Sequence, residues 1–187
     1  MNAKGTIPTE ARSVLDFWFT ESGPEKWFVK DQNFDDEIRD RFGPAYRRAH
    51  DGNLDEWTET AEGCLALIIL LDQFPRNLFR DDPRAFDTDA KARAVLQYAL
   101  DQGYDKALDT RQRQFIYMPL QHSEDRPDQA LSVKLNATLG NDDVLKFAHA
   151  HKDIIDRFGR FPHRNAVLGR ESTAEETEFL TQPGSSF

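Results

Sequence analysis

The chain is poor in the features that mark most protein classes. It has one cysteine, Cys64, so it can form no internal disulfide, and a reducing compartment is expected. Its longest strictly apolar run, Leu65 to Leu71, falls far short of the ~20 residues that a membrane span needs. The segment from Met1 to Ser13 lacks the apolar core of a secretory signal. These absences predict a cytoplasmic protein with no membrane partner. No Gly/Ser linker interrupts the 187 residues, so a single domain over 1–187 is expected. There is no Gly-rich phosphate loop and no helical His-x-x-x-His or Glu-x-x-His pair, so no cofactor and no metal is expected. An excess of bases is missing too. The formal net charge is −9, and phosphate backbones repel such a surface, so nucleic acid is not an expected partner.

Helical patterning is abundant. Thr9 is positioned to cap a helix from Glu10, with Val14, Leu15, Trp18 and Phe19 on one face and Gly23-Pro24 at its end. A second pattern covers 35–50, where Gly43-Pro44 predicts a kink or two shorter helices. A third covers 61–74. It is apolar on every face, which predicts burial on every face, and Pro75 is expected to close it. Further helices are predicted over 88–102 (capped by Asp87), 110–118 before Pro119, 127–139, and 142–158 before Gly159. A last one is announced by the capping box Ser172-Thr173-Ala174-Glu175, with a frayed tail from Thr181. No stretch sustains period-2 alternation. The expected fold class is all-α, an array of antiparallel helices stacked as hairpins.

Chemistry concentrates in three places. Phe74-Pro75-Arg76-Asn77 is echoed by Phe161-Pro162-His163-Arg164-Asn165. In each, a phenylalanine can plug the core, a proline stops a helix, and Arg and Asn are left with donors to place on a carboxylate, a phosphate or freed carbonyls. The second echo is dense in cations. Arg157, Arg160, His163, Arg164 and Arg170 lie within fourteen residues that contain no acid, so either distant acids pair them or an anion does. The third place is Gln121-His122-Ser123-Glu124-Asp125. Here His122 can carry a proton near neutral pH and Glu124 can orient it or act as a base. Ser123 lacks a nucleophile elbow and is expected to cap a turn. Cys64, within the most apolar helix, is read as an inert core residue. The rings of Phe17, Trp18, Phe19, Trp27 and Phe28 are read as core.

Asp16-Phe17-Trp18-Phe19, Leu71 to Asn77, Pro119 to Asp125, and above all Arg157 to Asn165 with Leu168 to Thr173 resemble a bacterial family known only as domain of unknown function 924. The resemblance implies an all-helical, tetratricopeptide-like superhelix and carries no activity with it. The favoured functional expectation is a polar pocket for a small anionic ligand, where the three motifs converge. Asp72, Gln73, Arg76, Asn77, Arg160, His163, Arg164 and Asn165 would bind, and His122 with Glu124 would supply any acid–base chemistry. Two alternatives stand beside it. One is a helical scaffold that holds a peptide or partner protein in a groove; in the other, the polar motifs only tie helix ends together.

Overall fold

A computed structural model describes residues 5–186; residues 1–4 of the opening segment and Phe187, inside the expected span 1–187, lie outside it. Helices account for all the regular structure among the described residues, as the patterning predicts. The chain forms two compact units. Among the described residues, the first comprises 5–80 and 84–119, the second 81–83 and 120–186. The main division falls at Pro119–Leu120, inside a continuous helix, which is why no linker composition marks it.

In the first unit, α1 (Thr9–Asp16) begins one residue before the predicted start. Thr9 is its first turn rather than its cap, and Pro8 precedes it. A π-helical turn, Phe17–Ser22, follows and stops at Gly23, whose φ of +76° favours glycine. Helix α2 (Gln32–His50) is capped by Asp31, whose carboxylate accepts from the amides of Asn33 and Phe34. It runs as one helix through Pro44, not as the two shorter helices that were one of the two expectations there. The residue before that proline is Gly43, which has no Cβ to collide with the ring.

Helix α3 (Ala61–Ile68) is capped by Thr60 Oγ1, which accepts from Gly63 N at 3.0 Å. Gly63 is obligatory, because a Cβ there would lie 2.0 Å from the Trp57 carbonyl oxygen. The apolar run is buried on all sides as predicted, from Gly63 to Pro75 without a break. Pro75 does not close it. A π-helical turn, Ile69–Gln73, resets the hydrogen bonding, and α4 (Phe74–Leu78) starts with Pro75 in its first turn, where a missing N–H costs nothing.

Helix α5 (Asp89–Asp101) is preceded by Thr88, not capped by Asp87 as predicted. Thr88 Oγ1 instead donates to Leu71 O at 2.6 Å. Helix α1 packs on α3, α2 on α4, and α3 on α5. Trp18, Phe19, Trp27 and Phe115 form a contiguous ring cluster, with Trp27 4.6 Å from Phe115 between centroids, and Phe17 joins it through Phe34 and Phe74. Phe28 departs from the core reading. It is 68% exposed, because it lies in the turn beyond Trp27 and touches the cluster from outside.

Helix α6 (Thr110–Gln121) passes through Pro119, the predicted stop; one lost backbone bond is outweighed by burial of every residue from Phe115 to Gln121. In the second unit, α7 (Arg126–Asn136) is capped by Asp125 and packs on α8 (Asp142–Phe158). Helix α8 begins after the Asn141 cap and ends at Gly159 in the left-handed conformation. The capping box of α9 (Ala174–Phe179) is built by Thr173 and Glu176, one residue on from the predicted pair. The tail, expected to fray, turns back. Ser185 is buried and its hydroxyl donates to Leu180 O.

Candidate functional site

The first arginine motif lies in the first unit and is closed by carboxylates. Arg76 forks onto Asp89 at 3.0 and 3.2 Å, with Asp72 3.4 Å away and the Asp72 carbonyl also accepting from it. Burial disfavours the Arg76 charge, but Asp72 and Asp89 outweigh that and raise its pKa. Gln73 Nε2 donates to Asp72 Oδ2 at 2.6 Å. Asn77 donates to Asp35 at 2.8 Å, and Arg80 grips the same carboxylate. Asp35, 42 residues from Asn77 in sequence, is buried in α2, so these bonds lock α4 to α2.

The other two motifs lie together in the second unit. The loop between α8 and α9 is held by a closed network. Arg160 forks onto Glu176 at 2.6 and 2.7 Å and donates to Glu171 O. Arg170 forks onto Glu124 at 2.7 and 3.0 Å, and its Nε donates to Asn165 Oδ1. Asn165 Nδ2 donates to Ser172 Oγ and Glu176. Arg157 pairs with Glu175. Distant acids thus answer the acid-free stretch at three of its arginines. The hydrogen bond from Arg160 leads the causes that lower Glu176 to a pKa of about 2.

Glu124 also accepts from Phe161 N at 2.8 Å. Burial resists its ionisation, yet the bonds from Arg170 and Phe161 prevail and its pKa is lowered. A carboxylate held in this way is a weak base, so Glu124 serves as an anchor for the loop. Ser123 behaves as expected of a turn cap, with Oγ donating to Asp128 at 2.6 Å and accepting from Asp125 N.

The remaining chemistry surrounds Phe161, which is fully buried. His122, just past the end of α6, places its ring 6.3 Å from that of His151. His151 lies 5.7 Å from the Phe161 ring, His163 lies 5.6 Å from it, and the Arg164 guanidinium stands over it at 4.5 Å. His151 occupies the buried stripe of α8 with Ala148, Ile154 and Ile155. Its Nδ1–H donates to Phe147 O at 2.8 Å, since a carbonyl can only accept, and that leaves Nε2 as the acceptor nitrogen of the neutral ring. Burial first, then the charge of His122, drives its pKa down to about 3. Burial and the neighbouring Arg164 drive His163 to about 4. Both rings are neutral at physiological pH.

His151 is the residue that motif reading passed over. A histidine in register with Ala148 and Ile155 on an otherwise apolar stripe was the available signal. His149, two residues earlier, is exposed. Among the described residues, no three His, Cys, Asp or Glu are arranged to hold a metal ion, and none of the helices is long and apolar enough to cross a membrane. Cys64 is buried, and burial pushes its thiol up to about 12.

These features define an all-helical protein whose arginine corners are tied by carboxylates, with a cluster of imidazoles, two of them held neutral, in its second unit. The family model described as "Bacterial protein of unknown function (DUF924)" matches residues 14–184, and the chain belongs to that family. The chain is similar to the solved structure of ATU0120, a protein of unknown function from Agrobacterium tumefaciens. The two are 46% identical, the match covers 91% of this chain and 96% of that one, and the TM-score is 0.88. No curated protein matches the chain.

Proposed function

We propose that the second unit binds a small anionic ligand where His151 and His163 flank Phe161 beside Arg164 and His122 lies against His151, with His122 as its proton carrier. The observation that carries this reading is the convergence itself. Two histidines from separate segments, His151 and His163, flank one buried ring next to a buried guanidinium, and a third, His122, packs on His151. Tying helix ends together needs no such gathering, and the neighbouring network already does that work with Arg160, Arg170, Glu124 and Glu176. Arg164 gives the spot a positive field, felt as the lowering of both His151 and His163, and Arg170 offsets the nearest carboxylate, Glu124. In this reading Glu124, Arg160 and Asn165 form the frame, and Asp72, Gln73, Arg76 and Asn77 do the same work inside the first unit.

The test is site-resolved. Imidazole C2–H resonances of the protein are followed by NMR while inorganic phosphate or citrate is added at pH 7. Saturable shifts at His122 and His163, lost in Arg164→Gln, are expected. Imidazole resonances that no anion moves would withdraw the site and leave the cluster as packing.

A further inference from the structure

The histidine cluster of the second unit is covered. Phe161 is fully buried, and His151 and Arg164 are only 4% and 7% exposed, so a molecule from solvent reaches them only if their cover moves. That cover is the segment 160–186, which carries Phe161, His163 and Arg164 and includes α9. Among the described residues, its backbone hydrogen bonds close within the segment, from Arg164 N to Phe161 O near its start to Gln182 N to Phe179 O near its end. Side chains brace it from inside. Arg160 forks onto Glu176, and Asn165 donates to Ser172 and Glu176. The segment leaves α8 at Gly159, whose φ of +69° favours glycine and whose Cβ position is open, with nothing within 4 Å.

Apolar contact seats the segment on α8, with Phe161 against Ile154 and Ile155 and Phe179 against Phe158. The Arg157–Glu175 pair is half-exposed and adds little. Glu124 acts on one point. It accepts from Phe161 N at 2.8 Å and from the Arg170 fork at 2.7 and 3.0 Å, and Arg170 Nη2 donates onward to Phe161 O at 3.2 Å. One ion pair thus grips both the N–H and the C=O of the residue whose ring fills the cluster. The side chains of Glu124 and Arg170 keep 27% and 25% of their surface in water, so solvent can replace this grip from the edge.

We infer that 160–186 is a flap hinged at Gly159 that covers the histidine cluster and is latched by Glu124 on Phe161 and Arg170. A segment bonded within itself and joined to its surroundings at few points opens as one body. As regulation of the anion site the flap rests on the binding reading above; its motion does not.

The motion is therefore read without a ligand, by amide hydrogen exchange of the full chain at pH 7. The amides of Leu168, Arg170, Thr177 and Leu180 are expected to share one opening equilibrium, and to exchange faster than the α8 amides of 148–155. Glu124→Gln keeps the shape of the latch without its charge. It is expected to increase that opening about tenfold and to leave α8 unchanged. Diethyl pyrocarbonate, which acylates neutral imidazole, reads the cover directly. Acylation of His151 is expected to rise about tenfold in the variant, while exposed His149 reacts alike in both proteins. Arg170→Gln removes the other half of the latch and is expected to behave in the same way, so the test survives if Glu124→Gln does not fold. Wild-type amides of 160–186 that exchange only together with α8 would overturn the flap, and so would a His151 no more reactive in either variant. Opening and acylation as expected, with imidazole resonances that no anion moves, would support the flap and withdraw the anion site alone. Saturable anion shifts without the opening would do the reverse.

Discussion

At the scale of single residues, the second unit sorts its charges by partner. Arg160 and Arg170 are each spent on a carboxylate, whereas His151 and His163 are held neutral by burial. Neutral burial has a thermodynamic signature. Both groups titrate near 6.5 in an unfolded chain but at about 3 and about 4 in the native one. As pH falls below 6.5, the unfolded state takes up protons that the native state refuses, so stability falls. The loss from the two groups together should reach on the order of 5 kcal/mol by pH 4.5. It precedes the separate loss expected below pH 4.5, when Glu124 and Glu176 become protonated. Denaturant melts across pH 7.5 to 4.5 check this, and His163→Asn should flatten the slope in that window. A wild-type stability flat from 7.5 to 4.5 would show that these rings are charged in the native state. None of these pairings was legible in the sequence. Glu124 and Arg170 are 46 residues apart, and a stretch without acids reads as an empty site until the fold delivers its acids from elsewhere.

At the scale of elements, local chemistry was readable and proline was not. Helix α8 spans 142–158 and ends at Gly159 as predicted, because such end signals depend on neighbours one to four residues away; its cap is Asn141. Ser172 and Thr173 both satisfy the capping-box spacing, and only the fold selects Thr173. Pro44 was read as a kink or a break and Pro75 and Pro119 as stops, yet each lies inside a helix, because a preceding glycine, a π-helical reset or burial offsets the missing bond. The π turn at Ile69–Gln73 fits one additional residue into the helix and so turns all that follows by about 100°. That phase sets Arg76 against Asp89. Within α3, Leu67 is 2% exposed. Leu67→Asp should prevent folding, since a buried unpaired carboxylate costs several kcal/mol against a stability of roughly 5–15 kcal/mol. Soluble expression with an unchanged melting temperature would contradict the central place given to this helix.

At the scale of the whole molecule, the all-helical class followed from periodicity and caps alone, and the family from motifs that span nearly the entire chain. The division into two units did not follow, because nothing in the composition changes at Pro119. The two units share α6, and every residue from Phe115 to Gln121 is buried. A protease therefore meets no exposed bond within 115–121. Chymotrypsin has suitable bonds at Phe115, Tyr117 and Leu120, but limited digestion should leave them intact and cut first at exposed Phe28 or Phe147. Early cleavage within 115–121 would mean that this helix opens in solution. By the same token, a gene cut at the boundary would give each half a severed helix. The two units are expected to be made, and to be inherited, as one piece.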